Sequence, residues 1–464
     1  MRIKIKDILI SSKDVKFVGN IKNIERVVSF YSLDSREIKD DNINDSLYFA
    51  YKGNKVDGFS FVKYLIDLGV KCFACSREHE SECIKYLNDN EGLVFLLTSN
   101  VIKLLQALAS FLIEKTSFKR IAITGSNGKT TTKEMLYSIL SKKYKTYKTW
   151  GNLNSDIGLP LSILRVEGNE EYAVFEVGVS YVGEMDLLSQ ILKPEIVIIT
   201  NISYAHMQAF KELQAIAFEK SKIIGKNIEI FVVNEMNDYC VYLEKRAKIA
   251  NPNVKIVYFD FENLSIKSFS FLDGKFSFDF VYKGFEYSIL LLGRHNIFNA
   301  IGCINLALFL GMREKEIKEG LIETAFQKGR AEILTKNGYL ILNDSYNGNM
   351  GSFMALKNMI LDLNIQNKKF IVLGSFKELG ELAYKTHKDL IQEAISMNFD
   401  KIFLIGEEFL DVRDSENLVE KCLYYFSEFD KFIDFFLKSL EPSVFIVIKG
   451  SRFNRLERIL NIFR

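Results

Sequence analysis

Residues 121–136 read "IAITGSNGKTTTKEML". An apolar run, a glycine turn and a lysine–threonine cluster opening a helical pattern together describe a phosphate-binding loop. The common form, G-x-x-x-x-G-K-[ST], needs glycine at position 123, where this chain has Ile123. Here the loop is Gly125, Ser126, Asn127, Gly128, Lys129, Thr130 and Thr131, a tighter version. Gly125 and Gly128 let the backbone turn sharply and come close to a ligand. The first N–H groups of the following helix face anionic oxygens. Lys129 has the reach for β- and γ-phosphates, and the Thr130 hydroxyl suits Mg²⁺. The stretch predicts an enzyme that uses ATP or GTP.

Outward from the loop, "AVFEVGV", "EIVIITN" and "IEIFVVN" read as further strands alternating with helical segments. Such alternation predicts a parallel sheet with helices on both faces. This central block runs over 99–326. It opens with the apolar-periodic helix "VIKLLQALASFLIEK" and closes with "NIFNAIGCINLALFLG", and residues 265–293 alternate with period two as a β-meander. Residues 1–98 hold short strands around the helix "SFVKYLIDLGV". Residues 327–464 carry the strands "YLILND", "KFIVLGS", "KIFLIGE" and "VFIVIKG", a second, smaller doubly wound unit. The fold class is α/β in three domains.

Composition narrows the function. At 464 residues the chain is long enough for roughly two to four domains. With 61 basic and 59 acidic side chains the net charge is +2, which argues against a general nucleic-acid binder. No apolar block suits a signal peptide, and none approaches the ~20 residues of a membrane helix. Six cysteines suggest reduced thiols in a cytoplasm. Cys72, Cys75, His79 and Cys83 imitate a zinc pattern, but "VKCFACS" reads as a strand, where residues three apart face opposite ways.

Several polar residues stand where an open α/β sheet places its ligands. Glu176 lies inside an apolar strand, where a carboxylate is costly unless it is paired or holds a metal; both a Mg²⁺ ligand and a strand-end salt bridge fit. Asn201 and His206 follow a buried strand, and with Glu176 they suggest a metal or phosphate role. Lys220 is on a helix soon after, where a lysine is usually a solvated charge. His295, Asn296 and Asn299 mark a helix start; Asn296 could cap the helix or read the edge of a base. Arg330, at a block boundary, suits a γ-phosphate clamp or an interdomain salt bridge. Asp344, Tyr346, Asn347 and Asn349 follow one strand end, and Lys449, Ser451 and Arg452 another.

Together these motifs resemble the Mur ligases, the ATP-dependent amide-forming enzymes of bacterial cell-wall precursor synthesis. The resemblance covers nearly the whole chain, in order: the tight loop, "NLNSDIGLP", "EVGVSYVGEMD", "NISYAHMQAF", "GRHNIFNA", "KGRAEI" and "KGSR". Within the family, "NDSYNGN" and "VLGSFKELGE" are most similar to the branch that adds D-Ala-D-Ala to UDP-MurNAc-tripeptide. The resemblance implies that residues 1–98 bind the UDP-substrate, with Ser35 and Arg36 placing it. It implies that the loop and Lys129 hold ATP phosphates, that Thr130 and Glu176 hold one Mg²⁺, and that Glu176, His206 and a carbamylated Lys220 hold a second. Asn296 and Asn299 would meet adenine, Arg330 the γ-phosphate and Asp344 the ribose. Asn347, Asn349 and the edge with Lys449 and Ser451 would face the peptide end, and Asn152, Asn154 and Tyr346 are further substrate positions. A monomer is implied. The chain departs from the family pattern at Lys222, Asn343, Met350, Ser375 and Phe376. The rivals are the ligase that adds the preceding amino acid, a folylpolyglutamate-type synthetase, a nucleotide-hydrolysing switch and a non-catalytic relative.

Overall fold

The computed structural model describes residues 1–205, 207–272, 275–325 and 328–463. The loop strand, Lys119–Thr124, lies inside a six-stranded, wholly parallel sheet. From one edge the order is Lys255–Phe259, Ile230–Asn234, Ile196–Ile199, Lys119–Thr124, Tyr172–Glu176, Thr146–Lys148. These strands are near-continuous apolar runs because both faces are covered. Alternation divides them between two cores. Ile121, Ile123, Val174, Ile198 and Val232 enter one. Ala122, Phe175, Val197, Ile199 and Val233 enter the other.

The register sets the functional edge. Glu176 pairs with Ile123, and Ile199 with Thr124, so the loop, Glu176 and Asn201 emerge at the same end of three adjacent strands. The chain leaves the loop strand for one side of the sheet and later returns on the other. The crevice at that switch point is where such sheets bind ligands.

The N-terminal sheet runs Val15–Gly19, Val94–Thr98, Cys72–Ser76, Ser46–Phe49, Phe30–Ser32, and only the Val15–Gly19 edge is antiparallel. Helix Val101–Ile113 packs on strand Cys72–Ser76 of that sheet and on helices Gly158–Leu164 and Glu184–Leu192 of the central unit. Its buried stripe, Leu104, Leu105, Leu108, Leu112 and Ile113, therefore joins the two units in one core. The period-two stretch forms the antiparallel meander Ser265–Leu272, Lys275–Tyr282, Phe285–Ile289.

The C-terminal sheet runs Glu332–Lys336, Tyr339–Asp344, Phe445–Lys449, Lys369–Gly374, Lys401–Ile405, Leu423–Phe426, parallel apart from its Glu332–Lys336 edge. One face, through Leu342, Phe353, Leu356 and Met359, shares a core with helix Arg294–Phe309 of the central unit. The C-terminal strand ends thereby face the phosphate loop across a cleft.

Candidate active site

The loop backbone is held from below by the neighbouring strand end. Ser126 N donates to Asn201 O at 2.9 Å and Asn127 N to Asn201 Oδ1 at 3.1 Å. Thr200 Oγ1 donates to Asn127 O at 2.6 Å. Gly128 has φ +82°, a left-handed conformation, and a Cβ there would stand 3.1 Å from the Asn299 amide. Helix Lys129–Leu140 starts at that glycine and aims its free N–H groups into the cleft. The Lys129 ammonium folds back on Gly125 O at 2.8 Å and Ser126 O at 3.3 Å. Burial brings its pKa down to about 8, with Glu176 opposing and Arg330 assisting the shift.

Glu176 is almost wholly buried. Its Oε1 accepts from Thr130 Oγ1 at 3.1 Å and from Asn154 Nδ2 at 2.8 Å. Its Oε2 has no hydrogen-bond partner and lies 3.4 Å from Lys133 Nζ. The Glu176 Oε1 and the Thr130 hydroxyl, side by side behind the phosphate loop, are hard oxygen donors of the kind a small cation takes while it keeps other positions for water and phosphate. These residues fit Mg²⁺.

Arg330 comes from the link between the two sheets. Its Nη2 donates to Thr130 Oγ1 at 3.1 Å and its guanidinium stacks over Tyr346 at 4.0 Å. Gly329 at φ +73° and Ala331 at φ +50° flank it, so the chain turns sharply on both sides. The geometry is that of a clamp reaching from the boundary onto the loop. Asp344 Oδ1 accepts from Ala331 N at 3.0 Å, and its Oδ2 pairs with buried Lys449 at 2.6 Å.

Two adjoining cavities follow. One, of about 380 Å³, is lined by Ser126 to Thr131, Asn296, Asn299, Arg330, Asp344, Tyr346, Asn347, Asn349 and Lys449. The other, of about 700 Å³, shares Ser126, Lys129, Asn347 and Asn349 and continues along Lys377, Glu378, Ser451 and Arg452. Thus the nucleotide-side and peptide-side candidates come from distant parts of the sequence into one cleft. Ser35, Arg36 and Asn152 line neither cavity. Arg36 is exposed and paired with Asp34, and Asn152 is exposed. His206 lies outside the described residues.

Three placements differ in detail from the sequence reading. Asn296 does not cap its helix: Gly293 holds that position, and the Asn296 amide donates to Leu292 O at 2.6 Å from inside the first turn. Asn154 is bound to Glu176 and not to a cavity wall. Lys220 is no solvated charge. It is buried, and burial, then the charge of Lys129, hold its ammonium well below the ordinary lysine range, against Glu184 and Glu219. Lys222, where the family pattern has glutamate, pairs with Asp186 at 2.7 Å and Glu219 at 2.8 Å. Glu219 in turn accepts from Gly183 N and Met185 N at 2.9 Å each, capping helix Glu184–Leu192. Lys133 was missed altogether, because a lysine one turn into an amphipathic helix carries no sign of burial.

Family models match in sequence order along the chain: the Mur ligase family catalytic domain at 27–114, the Mur ligase middle domain at 123–307 and the Mur ligase glutamate ligase domain at 329–452. A Treponema pallidum UDP-N-acetylmuramoyl-tripeptide–D-alanyl-D-alanine ligase is 31% identical over 93% of this chain and 93% of its own. The crystal structure of MurF from Acinetobacter baumannii superposes with a TM-score of 0.81 at 25% identity, covering 100% of this chain and 99% of that one. MurF ligase from Thermotoga maritima, solved in complex with ADP, gives a TM-score of 0.73 at 25% identity over 94% and 97% of the two chains. With the tight phosphate loop, the facing C-terminal sheet and a 31% identical relative along nearly its whole length, this chain belongs to the Mur ligase family.

Proposed function

We propose that this protein joins the terminal carboxylate of a UDP-MurNAc-tripeptide to the amine of D-Ala-D-Ala, using ATP. The observation that carries the reading is the cleft itself. A phosphate loop with an arginine clamp opens directly into a second polar cavity between the central and C-terminal units. The named relatives act on these substrates, and the Thermotoga maritima neighbour holds ADP.

The chemistry follows from what a carboxylate lacks. It is a poor electrophile, and oxide is a poor leaving group. A carboxylate oxygen attacks the γ-phosphorus, ADP leaves, and an acyl phosphate results. The dipeptide amine then attacks the acyl carbon, loses a proton, and phosphate leaves as the amide forms. Lys129, the N-terminus of helix Lys129–Leu140 and Arg330 supply positive potential where phosphoryl charge builds. Thr130 and Glu176 would hold Mg²⁺, which supplies further charge neutralisation when bound. Asp344 and the Asn296–Asn299 pair orient the nucleoside. Asn347, Asn349 and the Lys449–Ser451 edge face the peptide side, and Ser35, Arg36 and the Asn152–Asn154 loop the UDP-substrate. In this reading residues 1–98 bind the UDP-substrate, 99–326 the nucleotide, and 327–464 complete the ligase site. The enzyme is monomeric and cytoplasmic.

Lys220 takes the carbamate in this account. The unprotonated amine is the form that captures CO₂, burial and the Lys129 charge both favour it at Lys220, and the resulting anion would turn repulsion from Lys129 into attraction. By the family resemblance it would hold a second cation with Glu176 and with His206, which lies outside the described residues. Activity should fall in bicarbonate-depleted buffer and return with bicarbonate; full activity of Lys220→Ala contradicts the assignment. The acyl phosphate is tested with an ¹⁸O-labelled tripeptide carboxylate. Label should appear in the released phosphate, and its absence overturns the step.

A further inference from the structure

One buried charge beside Glu176 is used neither for phosphate nor for peptide. Lys133 lies one turn beyond Lys129 on helix Lys129–Leu140 and is wholly buried. Its ammonium has three acceptors around it: Gly151 O at 3.2 Å, Glu134 Oε1 at 3.2 Å and Glu176 Oε2 at 3.4 Å. Glu134, also buried, is paired with Lys148 on its other oxygen. Two cations and two carboxylates thus balance: Lys133 and Glu176 are buried, where an unpaired charge would be costly, Glu134 reaches the first cavity and Lys148 is partly exposed.

The anchors of Glu176 show what Lys133 adds. Its backbone N–H donates to Thr149 Oγ1 at 3.0 Å, and its Oε1 is held by Thr130 and Asn154. Only Oε2 lacks a hydrogen bond, and the ammonium of Lys133 is the ion-pair partner it faces. Lys133 also grips Gly151, between Thr149 and Asn154 on the loop that wraps the same carboxylate. One side chain therefore ties the helix behind the phosphate loop, the acidic strand end and the 149–154 loop.

We propose that Lys133 is a positioning residue that fixes the Glu176 carboxylate and the 149–154 loop, and so sets how tightly the nucleotide-loaded site holds its divalent cation. This rests on the assignment of Thr130 and Glu176 to Mg²⁺. A lysine that served charge balance alone would matter to folding and not to cation affinity.

The two roles separate in a binding measurement that needs no turnover. Lys133→Met keeps length and removes charge. Lys133→Met/Glu134→Gln restores neutrality, and stands in if the single variant fails to fold. Mn²⁺ binding in the presence of ADP is followed by electron paramagnetic resonance, with metal-free ADP affinity measured alongside. The folded variant should bind Mn²⁺ at least about tenfold more weakly, with ADP affinity within about twofold of the unaltered protein, the loss of one charge-assisted anchor. Wild-type Mn²⁺ affinity in the folded double variant overturns the proposal. Unaltered protein that binds no Mn²⁺ with ADP removes the metal assignment itself, and the proposal with it.

Discussion

A methyl group at position 125 would stand 2.0 Å from Thr200 Oγ1, and Gly125 has φ +146°. The tight loop therefore requires glycine there for space as well as for backbone freedom. Gly125→Ala should fold, since the two cores are untouched, yet bind no ATP; calorimetric titration with ATP and Mg²⁺ checks it. Lys129→Met should leave a bound nucleotide without its ammonium and lower phosphate release about 10²–10³-fold. At this scale the sequence was most readable where the contacts are local. Gly125 to Thr131 needed only a strand before and a helix after. The partners of Glu176 were not readable. Asn154, Thr130 and Lys133 reach it because Tyr172–Glu176 pairs with Lys119–Thr124 on one side and Thr146–Lys148 on the other, an order no single segment encodes.

Among elements, helix Met350–Leu363 shows how a cap can serve two ends. Asn349 Oδ1 accepts from Ser352 N at 2.8 Å, while its Nδ2 donates to Asn127 Oδ1 at 2.9 Å across the cleft. Asn349→Ala should cost about 1 kcal/mol of stability through the lost cap and also weaken ATP binding; denaturant unfolding and calorimetry read the two losses separately. The 375–380 loop has its own prop. Phe376 N donates to His387 Nε2 at 3.0 Å, and His387 Nδ1 lies 2.7 Å from Ala383 O. Burial holds this imidazole below its ordinary range. The folded form resists the proton that the unfolded chain accepts, so its stabilisation is complete above about pH 6.5 and is lost as pH falls below that. Between about pH 7.5 and pH 5.5 the urea midpoint should drop more for the unaltered protein than for His387→Gln. Equal drops would show that the ring does not titrate on unfolding. Strands and helices were legible as elements because their apolar periods are strong. The helix start around His295 and Asn296 was legible, but which residue caps it was not, since Asn296 has the chemistry of a cap and Gly293 holds the position.

Across the whole molecule, among the described residues, the Arg294–Asp362 ion pair at 2.9 Å joins the central and C-terminal units outside both cavities, and three hydrogen bonds join them at the cleft: Arg330 to Thr130, Asn349 to Asn127, and Gln208 N to Glu378 O at 2.9 Å. Each of these three touches the phosphate loop or the second cavity, so ligands in the cleft bear directly on the docking of the two units. Nucleotide with UDP-substrate should therefore compact the protein, and small-angle scattering should give a smaller radius than without them. Identical curves would contradict closure. The α/β organisation was visible in the alternation of strand and helix patterns. The shared core between sheets was not, because it depends on which faces of Leu342, Phe353 and Leu356 meet helix Arg294–Phe309. The central claim is that phosphoryl transfer is coupled to amide formation in this cleft. Phosphate release from ATP and Mg²⁺ tests it, with UDP-MurNAc-tripeptide and D-Ala-D-Ala added singly and together. The account predicts sustained release only when both are present, with one pentapeptide product formed per phosphate. Sustained release with neither, or none with both while ATP stays bound, would contradict it.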